Sequence, residues 1–223
     1  MFQIVLLFAA NLLTAQDFDI LIRGGRIVDG SGNPWYRADL GIRNGRIAEI
    51  GSLEGRSARR VISLNGEVVA PGFIDMMGTN SIPLLTEPDS GDSKLRQGIT
   101  TILAGEGGSA APQSPATFPP SVAQKGYRWS TYAQYHALLE KNGLAVNVVH
   151  NIGAAQVRRV VIGDKDQEPT PAQLDQMRAL VEQAMKDGAV GFSTALIYPP
   201  GTYAKTAELV ELAKVVARYG GFY

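Results

Sequence analysis

Between residues 18 and 62 apolar and polar positions alternate in short runs punctuated by glycine, FDILIRGGRIVDG and then ADLGIRNGRIAEIG, the period-two pattern of half-buried strands. The two runs echo each other, Ile22-Arg23-Gly24-Gly25-Arg26-Ile27 against Ile42-Arg43-Asn44-Gly45-Arg46-Ile47. Asn44-Gly45 predicts a two-residue hairpin turn, because both residues tolerate positive φ. A small β-meander or half-sandwich is expected here, not a catalytic unit. After residue 66 the pattern changes. Continuous runs of Val, Ile, Leu, Thr and Phe, typical of strands covered on both faces, alternate with helical periodicities. Strands are predicted over 68–75, 99–104, 144–150 and 189–194, and helices near 89–97, 131–141, 171–187 and 207–218. The third helix carries the fullest signal: a capping box from Thr170 and Gln173, Pro171 at the first helical position, an apolar stripe of Leu174, Met177, Val181 and Met185, and Gly188 as the stop. The last helix repeats the plan, with Thr206 as cap and Gly220 as stop.

Four β/α units in succession imply a parallel sheet with right-handed crossovers, whose commonest closed form is the barrel. A complete (β/α)8 barrel takes about 250 residues and only about 155 follow the meander, so the pattern predicts the N-terminal half of a TIM-like barrel preceded by a small β-sandwich segment. Gly221-Phe222-Tyr223 reads as the start of a fifth strand. The expected organisation is a leader over 1–16, the sandwich segment over 17–66 and the half barrel over 67–223. A half barrel has two unpaired edges, which predicts poor solubility or a swapped oligomer.

Composition narrows the chemistry. Lys and Arg number 21 against 21 Asp and Glu; with no basic stripe, no nucleic-acid partner is expected. Cysteine is absent, which excludes disulfides, thiolate zinc sites and thiol catalysis. The only two histidines, His136 and His150, fall short of the nitrogen ligands a catalytic zinc usually takes. Residues 1–16 carry no charged side chain, and the apolar run from Ile4 to Leu13 has the length of a signal-peptide core rather than of a membrane span. Thr14-Ala15-Gln16 supplies a small-residue cleavage region, although the usual positive start is missing. A periplasmic or secreted location is expected, with a cytoplasmic one as the alternative, and no membrane span.

Read in order, FDILIRGGRIVDGSGNPW, GEVVAPGFID, SKLRQGITT, GAVGFSTALIYPPGTYA and ELVELAKVVARYGG resemble the N-acyl-D-amino-acid deacylase (D-aminoacylase) branch of the amidohydrolases across nearly all of 18–223. The resemblance implies a β-sandwich built from both chain ends around a metal-dependent barrel. It also implies hydrolysis of a carbon–nitrogen bond in a linear amide, with a small N-acyl amino acid as partner. An amide is a poor electrophile; a bound Zn2+ would supply hydroxide near neutral pH and polarise the carbonyl.

The same resemblance locates the chemistry. In such enzymes PGFID is followed by a His-x-His metal pair, and here those positions hold Met77 and Thr79. The second strand there ends in GNCG with a cysteine ligand, whereas this chain reads Gly105-Glu106-Gly107-Gly108. Gly107 aligns with the cysteine and Glu106 lies one residue earlier, so Glu106 is the candidate metal ligand, with a solvated loop acid as the plain alternative. The family's two further His ligands and an Asp would follow Tyr223. The family's GHG segment falls on Gly153-Ala154-Ala155, which leaves His150 the reading of a strand-end histidine with an ordinary hydrogen bond, and His136 that of a structural helix residue. Tyr198, in a segment that matches the family closely, is the candidate for a hydrogen bond to substrate; its plain alternative is packing on Pro199 and Pro200. Asp75 is expected to orient a neighbour or bind a backbone amide rather than a metal. A phosphate-loop reading of the glycine turn fails, because Ala110, Ala111, Pro112 and Pro115 follow it instead of a helix. The expected function is hydrolysis of linear amides. The alternative is a barrel that binds without turnover, because the His-x-His pair and the Cys ligand are both missing.

Overall fold

The computed structural model describes residues 16–78 and 81–223, so positions 1–15 of the expected leader and Thr79 lie outside the described residues. The chain forms two compact units that part between Pro71 and Gly72.

In the first unit β1 (Phe18–Ile27), β2 (Tyr36–Arg43) and β3 (Arg46–Gly51) form the expected antiparallel meander, and β4 (Ala58–Ser63) and the short β5 (Val68–Val69) run parallel to β1. Asn44 and Gly45 both take positive φ, 52° and 70°, and close the hairpin, whose twist matches its strands only in that conformation. Phe18, Leu21 and Leu53 make a small core. Gly41 sits flat against the Phe18 ring, where an added Cβ would come within 2.5 Å of a ring carbon.

The second unit is a curled, all-parallel sheet in the order β6 (Phe73–Asp75), β7 (Ile99–Ala104), β8 (Asn147–Gly153) and β9 (Gly191–Ser193). Phe222 bridges Gly191 in the parallel sense, where a fifth strand was expected. The single strand expected over 68–75 is two: Val68–Val69 belongs to the first sheet and Phe73–Asp75 to the barrel sheet. Pro71 has no N–H for a ladder, and Gly72 is pressed so close to Thr100 that a Cβ would meet its Oγ1 at 2.1 Å. The third strand starts later than expected, at Asn147, in register with Thr101 of β7.

The helices are α1 (Ile82–Thr86), α2 (Asp92–Arg96), α3 (Pro120–Gln124), α4 (Tyr132–Asn142), α5 (Ala154–Val161), α6 (Pro171–Lys186) and α7 (Thr206–Ala217). Capping boxes start α4 (Thr131, Gln134) and α6 (Thr170, Gln173). Met177, Val181 and Met185 bury the α6 stripe while Leu174 is half-buried against it. At α7 the cap position is Lys205, and Thr206 is already helical. Helices α1, α3 and α5 have no counterpart in the sequence reading. The core runs through Tyr132, Tyr135, Ile152, Val157, Phe192 and Leu212. Within it Arg158 of α5 pairs with Glu208 of α7 at 2.5 Å, both side chains almost fully buried, and also donates to the Gln167 carbonyl. A pair so placed ties the two helices, and removing one partner would strand a buried charge.

Candidate functional site

In a barrel the C-terminal ends of the strands carry the variable chemistry. At the end of β7 the turn Gly105-Glu106-Gly107-Gly108 is held entirely through its backbone. Gly107 N–H donates to Ser193 Oγ at 3.1 Å, Ser193 Oγ donates to the Gly105 carbonyl, and Ala155 N–H donates to the Gly107 carbonyl at 3.0 Å. Gly105 (φ 103°) lies against Asn151, where a Cβ would stand 2.2 Å from the carbonyl oxygen. Gly105 and Gly107 are required by the close approach of Asn151 in β8 and of Ala195 just past β9. Glu106 alone projects, exposed, into a cavity of about 360 Å³ whose walls include Ser81, Gln113, Gln156 and Arg159. Arg159 is aimed there by three contacts: Asp164 at 3.0 Å, the Gln156 amide oxygen at 3.4 Å and the Pro199 carbonyl at 3.3 Å. A larger groove of about 900 Å³ between α3 and α4 contains none of the candidate residues.

At the end of β6 the arrangement is different. Asp75 accepts from Met77 N–H at 3.0 Å and pairs with Lys94 at 2.5 Å. The Lys94 ammonium, followed by the Met77 amide, holds the Asp75 carboxyl below its usual range. Asp75 therefore binds a backbone amide, as expected. Met77 is 67% exposed and offers no metal-binding nitrogen. Tyr198 is also 67% exposed and is not among the walls of the Glu106 cavity.

The residues in place do not fit a metal. Among the described residues no three His, Cys, Asp or Glu side chains converge to hold an ion. The position aligned with the family's cysteine is also closed to a side chain, because a Cβ on Gly107 would meet that of Ala195 at 2.4 Å.

The two histidines are turned to another use. His150, mid-strand in β8 and 1% exposed, has Nε2 2.8 Å from Ser81 Oγ and Nδ1 3.0 Å from His136 Nε2. Ser81 Oγ is also 3.0 Å from the Tyr135 hydroxyl, and the rings of Tyr132 and Tyr135 flank the His150 imidazole at 4.9 and 5.5 Å. Burial, and then His136, push His150 down to about 3; burial pushes the Tyr135 phenol up to about 12. A hydroxyl beside an imidazole has the outline of a nucleophile and its base. A base that stays neutral to such low pH cannot carry the serine proton, and Ser81 is itself 1% exposed. The contact is a tether. Ser81 and Arg159 escaped the sequence reading because Ser81 stands at the start of α1 and Arg159 lies in α5, short helices whose periodicity was too brief to register.

No family model matches the chain. It is 39% identical over 215 residues to a D-aminoacylase of Alcaligenes xylosoxydans xylosoxydans, covering 94% of this chain and 44% of that protein. A solved D-aminoacylase structure, described as defining a novel subset of amidohydrolases, superimposes with a TM-score of 0.82 at 35% identity, over 92% of this chain and 44% of that one. An N-acyl-D-glutamate deacylase from Bordetella bronchiseptica, complexed with zinc and a phosphonate that mimics the tetrahedral intermediate, gives 0.80 at 39% identity, over 90% and 43%. The chain thus spans less than half the length of the relatives it matches. It belongs to the amidohydrolases, in their D-aminoacylase-like branch.

Proposed function

We propose that the protein carrying this chain hydrolyses the carbon–nitrogen bond of linear amides, with N-acyl-D-amino acids as substrates. The observation that carries this reading is the shared frame: identity of 35–39% over at least 90% of the chain with deacylases of that class. The relatives' reaction uses a metal, which when bound supplies a hydroxide nucleophile and polarises the amide carbonyl. The described residues do not assemble such a site; their part is the pocket wall. Its cavity presents one carboxylate, Glu106, and one guanidinium, Arg159, between amide side chains, a lining suited to a small anionic amide. Glu106 remains the candidate for a metal contact and Tyr198 for a substrate contact, each requiring groups beyond those described. The leader over 1–16 supports export, and a mature N-terminus near Asp17 would be its mark.

Incubating the purified protein with N-acetyl-D-methionine, N-acetyl-D-glutamate and N-acetyl-D-aspartate tests the proposal. Release of free D-amino acid that stops on chelation is expected. The missing ligand set favours a second reading, a barrel that binds such compounds without cleaving them. Saturable binding by folded protein with no product would establish that reading instead.

A further inference from the structure

The polar groups between Tyr135 and Asp187 can be assigned donors and acceptors one by one. The Asp187 backbone favours the protonated His136 ring, as a carbonyl close to it would, and a carbonyl only accepts. His136 Nε2 is engaged with His150, which leaves Nδ1 as the nitrogen to serve that carbonyl, as a proton donor. In the neutral ring Nε2 must then accept. His150 donates to it from Nδ1, its own Nε2 accepts from the Ser81 hydroxyl, and Tyr135 donates to Ser81 Oγ. The chain of bonds has one sense, from Tyr135 towards Asp187.

A proton added to His136 Nε2 turns that nitrogen into a donor. His150 Nδ1 must then accept, its proton resides on Nε2, and Ser81 receives from His150 and donates towards Tyr135. Every bond survives with its direction inverted, while His150 stays neutral. We propose that Tyr135, Ser81, His150 and His136 form a hydrogen-bond chain of reversible polarity, through which protonation of the half-buried His136 sets the direction of the Ser81 hydroxyl at the wall of the Glu106 cavity. The groups facing this chain are Tyr132 from α4, on whose ring His136 stacks, and the Asp187 and Glu140 carboxylates, whose charges favour protonated His136 against the burial that opposes it. Uptake at His136 is therefore expected below the ordinary histidine range.

Because the chain has only two histidines, a ¹⁵N-histidine NMR titration reads both rings without a variant. Near pH 7.5 both are expected in the Nδ1–H form. As His136 titrates, His150 switches to Nε2–H without becoming charged. In His136→Phe, which keeps a ring against Tyr132, His150 is expected as Nε2–H at every pH. A His150 that holds one tautomer across the His136 titration, or that ionises together with it, would overturn the proposal. So would an unchanged His150 spectrum in His136→Phe.

Discussion

The ends of β6 and β7 stand side by side in the same sheet and resolve the same problem in opposite ways. At β6 the acid is neutralised inside the chain: Asp75 is taken up by Lys94 and the Met77 amide. At β7 only the backbone is satisfied, and Glu106 is left projecting into the cavity. Both are places where the deacylase resemblance expects a metal ligand. The comparison teaches that the frame of such a site and its ligands are separable, since main-chain packing can hold the turn in shape without metal-binding side chains.

The contrast can be attacked first at the tether between the two ends, Ser81 after β6 and His150 beside β7. The folded value of His150, about 3, lies below the 6.5 of an unfolded chain. The folded state thus resists a proton that the unfolded state accepts. Its contribution is complete above pH 6.5 and is lost as pH falls towards 3, up to on the order of 5 kcal/mol at 1.36 kcal/mol per unit. Urea unfolding at steps between pH 7 and 4 should follow that slope, and His150→Phe should flatten it. Next, Gly105→Ala places a Cβ against the Asn151 carbonyl at a positive φ and is expected to cost about 2–3 kcal/mol in the same assay. If the β7 end is rigid as described, no relaxation rescues it. Lys94→Ala, removing a partly exposed partner of Asp75, should cost under about 1 kcal/mol. It should raise the Asp75 titration, as read by carboxylate carbon NMR. Smallest in stability is Glu106→Gln, within about 0.5 kcal/mol of the parent. Its effect belongs to function: in the protein carrying this chain, metal content should fall if Glu106 is a ligand, and unchanged stoichiometry would retire that role.

What the sequence made legible was local. The Asn44-Gly45 hairpin, the Thr170–Gln173 capping box and the extent of β7 depend on residues within a few positions of one another, and the structure has them as read. The division of 68–75 between two sheets was not legible, because the apolar run is continuous and only Pro71-Gly72 and the distant Thr100 decide where one sheet is left and the other joined. Helix α5 was missed for a related reason: AAQVRRVV places two arginines in an apolar segment, and only the remote Glu208 explains why Arg158 is buried there. Glu106 could be located from its strand, but Ser81 and Arg159 in the same cavity could not, because they meet it through tertiary packing. The histidine count showed how few nitrogen ligands the sequence offers, yet nothing local indicated that the two rings meet.

The turn after β7 has one more implication, for engineering. Gly105 and Gly107 are gripped by main-chain atoms and by Ser193, none of which senses what residue 106 is. That position is consequently a socket: histidine, cysteine or an unnatural chelating residue could be installed at 106 with the surrounding loop undisturbed. The neighbouring 107, walled off by Ala195, would refuse the same replacements.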